Sequence, residues 1–218
     1  MKDDDIHAAI RALRTAAQGW TTPYVTDLAQ RQRDPFRVLI STMLSLRTKD
    51  AVTALASQKL FALADSPQKI LTLTARQIEK TIYPVGFYRT KAKSIRKVCQ
   101  ILLKECGGRV PDEIDVLVKL PGVGRKTANL VVTLGYGKPG ICVDTHVHRI
   151  TNRWGYVKTK TPEETEFALR AKLPPEYWIE INDELVALGQ NICHPTSPRC
   201  SICPVREDCA RVGVTRSR

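Results

Sequence analysis

Ten residues constrain the fold of this chain more than any others: Leu120-Pro121-Gly122-Val123-Gly124-Arg125-Lys126-Thr127-Ala128-Asn129. Pro121, Gly122 and Gly124 break the chain and let it turn tightly between two helix-forming stretches. Glu113 to Lys119 reads as a short helix capped by Asp112, and Arg125 to Leu134 as a second helix. Glycines without side chains leave backbone N–H groups open at the start of the second helix, where the helix dipole favours an anion such as a phosphate oxygen. Gly122, Val123, Gly124 and Thr127 are the candidate grip. Lys126 falls in the first turn, where the positive end of the dipole disfavours a second positive charge, and a neutral amine is the better nucleophile. Read alone, the segment fits two roles equally: a helix-hairpin-helix that only holds DNA backbone, or one that also presents a reactive amine.

The rest of the chain is patterned as helices. Asp5 is placed to cap a helix with Ile6, Ile10 and Leu13 on one face. Asp34-Pro35 starts another, with proline at the first helical position. Thr74 and Gln77 form a capping box before a helix that Pro84 and Gly86 end, and Thr161-Pro162-Glu163-Glu164 forms a second. Tyr88 to Glu105 is a long amphipathic helix, and Pro175 opens the helix leading to Cys193. Strand-like runs such as Ile141-Cys142-Val143 are short and flanked by helix signals. The expected architecture is all-α.

Two further motifs carry chemistry. Asp144, in Val143-Asp144-Thr145-His146, follows Lys126 by 18 residues and is placed to cap the next helix. Cys193, Cys200, Cys203 and Cys209 form a C-x6-C-x2-C-x5-C array near the C-terminal end. Four thiolates in one short loop hold either an iron–sulfur cluster or a structural zinc ion. Disulfides are disfavoured, because 218 residues at 43% hydrophobic content bury a sufficient core without covalent staples. The odd total of seven cysteines fits a reducing compartment, and Cys99, Cys106 and Cys142 lie on apolar stretches as packed thiols. The net charge of +12 suits a polyanionic partner. No run of about 18 apolar residues is present to cross a membrane, and Met1-Lys2-Asp3-Asp4-Asp5 is too acidic for a signal peptide.

These motifs, with Met43-Leu44-Ser45-Leu46-Arg47-Thr48-Lys49-Asp50 and Gly86-Phe87-Tyr88-Arg89-Thr90-Lys91-Ala92, resemble the endonuclease III family of the helix-hairpin-helix DNA glycosylases over nearly the whole length. The resemblance implies that Lys126 is the nucleophile, Asp144 the assisting carboxylate, and that the four cysteines carry a [4Fe-4S] cluster. It implies two lobes: residues 1–23 joined to 138–218 as the cluster lobe, and residues 24–137 as a six-helix bundle with the hairpin, with the active site in the cleft between. It implies a bifunctional glycosylase and AP lyase acting on double-stranded DNA with oxidised pyrimidines or abasic sites. The expected protein is a cytoplasmic, nucleoid-associated monomer with no membrane partner. Ser45, Arg47 and Asp50 belong to the segment expected to face the flipped base and the gap it leaves. The family usually has glutamine where this chain has Arg47, and commonly a leucine wedge where it has Phe87, an aromatic able to stack between bases. His146, Arg149 and Arg199 are expected DNA contacts; His148 is expected on the surface. Two alternatives are a monofunctional mismatch glycosylase, which generally lacks the lysine, and a non-catalytic DNA-binding protein.

Overall fold

Every regular element is helical among the residues that the computed structural model describes, 1–20 and 22–218. The chain forms two compact units, one of Met1–Thr22 with Ile141–Arg218 and the other of Pro23–Gly140. The first unit opens with α1 (Asp5–Ala17). The second holds α2 (Tyr24–Arg31), α3 (Pro35–Ser45), α4 (Asp50–Leu63), α5 (Pro67–Thr72), α6 (Ala75–Ile82), α7 (Tyr88–Glu105), α8 (Ile114–Leu117) and α9 (Arg125–Leu130). The first unit then resumes with α10 (Thr145–Arg153), α11 (Pro162–Lys172) and α12 (Ile181–Asn191).

The second unit is built around α3. Its residues from Val38 to Leu44 are all buried, as expected of a helix enclosed on every side. It starts where Asp34 accepts hydrogen bonds from the Phe36 and Arg37 N–H groups at 2.9 and 3.2 Å, with Pro35 behind. The Thr74–Gln77 capping box forms in full at α6. α7 lays Ala92, Ile95, Val98 and Leu102 into the same core. Burial of each of the three larger side chains, Ile95, Val98 and Leu102, contributes about 1.5–3 kcal/mol relative to exposure.

In the first unit, α1 buries Ile6, Ile10 and Leu13 among Val147, Ile150, Trp154, Leu185 and Leu188. Thr161 caps α11 through the Glu164 N–H at 3.1 Å, but Glu164 Oε2 accepts from Lys160 N at 2.8 Å, so the box is shifted by one residue.

Four further expectations are corrected. Asp112 does not cap the helix before the hairpin: it pairs with Lys138 Nζ at 2.5 Å, and α8 runs only from Ile114 to Leu117 behind Glu113. Asp5 is the first residue of α1, and its carboxylate accepts from Lys2 N at 2.7 Å. Pro175 opens a 3-10 turn to Tyr177, and α12 begins only at Ile181. The helix from Arg125 ends as α-helix at Leu130 and widens to a π-helical turn over Val131–Gly135. There Thr133 Oγ1 donates back to the Asn129 carbonyl at 2.8 Å, and Gly135 packs so closely that an added Cβ would lie 3.0 Å from Pro35 Cα.

Candidate active site and nucleic-acid interface

The hairpin turns on one backbone demand that a glycine meets best. Gly122 sits at φ +81°, in the left-handed region that side-chain-bearing residues avoid. The turn closes with Val123 N donating to Leu120 O at 3.1 Å, and α9 starts with Ala128 N on Gly124 O at 2.9 Å. Val123 and Thr127 are buried, which anchors the hairpin in the core; with Val123 N committed to Leu120 O, Val123 serves the turn itself and offers no donor to a ligand. Gly124 is exposed and extended, and a Cβ there would meet nothing within 4 Å. A side chain is therefore absent where the protein itself has room for one. Lys126, half-buried, follows two residues later in the first turn of α9.

Asp144 belongs to the other unit and starts α10. Its Oδ1 accepts from the N–H groups of His146 at 2.8 Å and Val147 at 2.9 Å. Both lie in the helix's first turn, where N–H groups lack partners within the helix. Those bonds hold the carboxylate in one rotamer.

Arg47 and Phe87 come together within the second unit. Both are non-glycine residues in the left-handed region, at φ 53° and 56°. The Arg47 guanidinium lies 5.6 Å from the Phe87 ring centroid, a cation–π distance. Phe87 is 62% exposed, so it is a displayed aromatic and no part of the core. Ser45 ends α3, its hydroxyl on the Thr42 carbonyl at 2.8 Å. Asp50 begins α4, and its carboxylate accepts from Tyr24 N at 2.8 Å, which commits part of it to holding α2.

The four cysteines of the C-terminal array line one cavity, together with Arg153, Arg199, Arg206 and Arg211. No three His, Cys, Asp or Glu groups among the described residues are gathered closely enough to share a single metal ion. Arg153 donates to Cys193 Sγ at 3.3 Å and to the carbonyls of His194 and Pro195 at 2.7 and 2.6 Å. Burial pushes the Cys203 thiol up to about 11. Soft sulfur donors ringed by guanidinium groups suit a site of net negative charge made of thiolates and a metal–sulfide core. Cys99 and Cys142 are buried, and Cys106 is half-buried, as packed thiols.

Arg149 is half-buried and donates to the Cys193 carbonyl at 2.8 Å, with His146 Nδ1 3.1 Å away. α12 passes so closely that a Cβ on Gly189 would collide with the His146 ring. Arg149, with His146 beside it, thus braces the cysteine loop, whereas Arg199 is exposed. His148, expected on the surface, is half-buried with Nδ1 2.7 Å from Thr165 Oγ1.

Comparison with known proteins bears on this arrangement. Residues 40–175 match the HhH-GPD superfamily of base excision DNA repair proteins. Endonuclease III of Thermotoga maritima is 50% identical over 82% of this chain and 84% of its own length. The chain belongs to the endonuclease III family. Endonuclease III of Bacillus subtilis is 38% identical over 85% of the chain and 84% of its length. Among solved structures, a trapped endonuclease III–DNA covalent intermediate has a TM-score of 0.85 at 32% identity, covering 97% of both chains. A thermostable thymine-DNA glycosylase, at 24% identity and a TM-score of 0.82, shares the fold.

Sequence reasoning left Arg153 and Lys91 without a role. Arg153 follows Arg149 by four residues, which puts both on one face of α10. Lys91 falls in register with Ile95, Val98 and Leu102, a charge on the apolar stripe of α7. That misplacement was the available signal.

Proposed function

We propose that this chain is a bifunctional DNA glycosylase and AP lyase that removes oxidised pyrimidines from double-stranded DNA and then cuts the strand at the abasic site. The observation that carries the reading is Lys126, an amine in the first turn of α9 directly behind a hairpin that leaves the position of Gly124 open. A hydrolytic glycosylase needs no such amine, and a passive DNA clamp needs no carboxylate.

The hairpin backbone at Gly124 and the first turn of α9 takes a phosphate oxygen, fixing the strand beside Lys126. The damaged nucleotide leaves the stack, which costs a few kcal/mol and least for lesions that pair poorly. Arg47 and Phe87 occupy the space it vacates. Lys126 Nζ attacks C1′, and the C1′–base bond breaks with its electron pair leaving on the base. Asp144 acts on the same nucleotide: its carboxylate opposes the positive charge that develops on the sugar and takes a proton from the incoming amine. The sugar ring opens as Lys126 becomes the iminium of a Schiff base. Loss of a 2′ proton then expels the 3′ phosphate. Water releases the lysine.

Cys193, Cys200, Cys203 and Cys209 are the residues that would hold a [4Fe-4S] cluster, whose contribution when bound is to cross-link the loop from Pro195 to Arg199. Arg199 offers that loop's phosphate contact, while Arg153 holds its first carbonyl and Arg149 the Cys193 carbonyl ahead of it.

The test is product analysis on a duplex containing thymine glycol. The proposal requires free base together with a cut strand ending in a 3′ unsaturated aldehyde. Free base with an intact abasic strand would assign a monofunctional enzyme; no base release would assign a binding protein.

A further inference from the structure

A lysine ammonium is buried where an aliphatic side chain would pack without penalty. Lys91, on α7, is 8% exposed, and removing a charge from water is costly unless its protons are well received. Its Nζ donates to the Leu44 carbonyl at 2.8 Å, the Leu46 carbonyl at 2.5 Å and Thr48 Oγ1 at 3.3 Å. The two carbonyls close the C-terminal end of α3, where helix carbonyls lack partners within the helix. Burial draws the amine down to about 8, so it is still largely protonated at neutral pH.

The third acceptor links two segments. Thr48 Oγ1 also accepts from Gly86 N at 3.1 Å. Gly86 is pressed so tightly to the loop that an added Cβ would collide with the Arg47 carbonyl. One residue beyond each of these contact points stands an exposed side chain on a left-handed backbone: Arg47 before Thr48, and Phe87 after Gly86. Such conformations persist only where the surroundings over-determine them. Lys91, Thr48 and Gly86 supply that determination, and the product is a cation–π pair displayed to solvent.

We propose that Lys91 is a positioning residue for lesion recognition, tying the Leu44–Thr48 segment to the Gly86 turn so that Arg47 and Phe87 enter the DNA as one preassembled unit. This rests on the reading of Arg47 and Phe87 as the pair that fills the gap left by the flipped nucleotide. Preassembly removes the entropy that two independent side chains would lose on insertion. It therefore favours DNA carrying a gap to fill and does nothing for an intact duplex.

The experiment measures affinity for a duplex with a tetrahydrofuran abasic analogue and for the matching undamaged duplex, by fluorescence anisotropy at one salt concentration. Lys91→Met keeps an unbranched chain one atom shorter and loses all three donors. It should weaken binding of the abasic analogue about tenfold, the scale of one lost stacking contact, and leave the undamaged duplex within about twofold. Gly86→Ala, which displaces the same loop with Lys91 intact, should give the same selective loss. The double variant should be no worse than the worse single one, since both break one device. Equal weakening on both duplexes, full retention of selectivity, or additive losses would overturn the proposal. If Lys91→Met does not fold, Gly86→Ala alone decides it by the same ratio. The paired variant Arg47→Ala/Phe87→Ala separates the two layers. Unchanged selectivity there refutes the underlying reading of the pair; lost selectivity there, with Lys91→Met unaffected, refutes the positioning role only.

Discussion

Replacing Asp144 by asparagine and by alanine separates two roles held by one carboxylate. Oδ1 accepts the N–H groups of His146 and Val147 at 2.8 and 2.9 Å, so the residue caps α10. Asparagine caps as well as aspartate, whereas alanine forfeits about 1 kcal/mol. For a chain of this size that is a fall in Tm of about 2–4 °C. Catalysis divides the variants differently, because both lose the negative charge that opposes the developing sugar cation. Removing one such electrostatic contact costs about 10²–10³ in rate. Asp144→Asn should therefore melt within about 2 °C of the parent and release thymine glycol about 10²–10³ more slowly under single turnover. Cleavage of a preformed abasic site should suffer less, since no glycosidic bond remains to break. Asp144→Ala should show the same rate deficit with the lower Tm. Near-parental base release by Asp144→Asn would reduce Asp144 to a helix cap and refute its chemical role.

Three other outcomes follow from the geometry. Gly124→Ala adds a methyl where the protein leaves open space, so Tm should hold while affinity for any duplex drops several-fold in anisotropy; unchanged affinity would mean that DNA does not approach the hairpin there. Purified protein should be yellow-brown with iron and sulfide by elemental analysis, and Cys203→Ala should lose both; a colourless parent with one zinc would replace the cluster assignment. Glu184, 8% exposed on α12, is pushed up to about 7 by burial and by the nearby Glu180 charge, against the pull of Arg14. The folded state then binds more protons than the unfolded chain between the ordinary carboxylate value and about 7, so this group lowers stability as pH rises through that window. Glu184→Gln should gain up to about 3 kcal/mol at pH near 8 and nothing near pH 4 in thermal melts, and a pH-independent difference would contradict the burial argument.

Local signals were readable in the chain and distant partners were not. The Asp34-Pro35 start, the Thr74–Gln77 box and the Asp144 cap each depend on residues within three positions, so sequence spacing alone places them. Asp112 looked equally good as a cap, but Lys138, 26 positions away, takes its carboxylate. The tight packing of Gly135 against Pro35, where the expected helix turns to π geometry, is equally non-local. Arg149 was visible as a positive charge, yet its aim at the Cys193 carbonyl depends on how α10 meets a loop 44 positions later. The Arg47–Phe87 contact needs two left-handed residues held by a buried lysine, and neither residue type advertises that conformation.

The central claim is that the Lys126 amine forms a covalent bond to the sugar. Borohydride added during reaction with thymine glycol DNA should reduce the Schiff base and trap the protein on the strand, with peptide mass analysis placing the adduct on Lys126. Lys126→Gln should bind DNA and give no trapped complex. An adduct on another amine, or trapping by Lys126→Gln at the parental rate, would contradict the account.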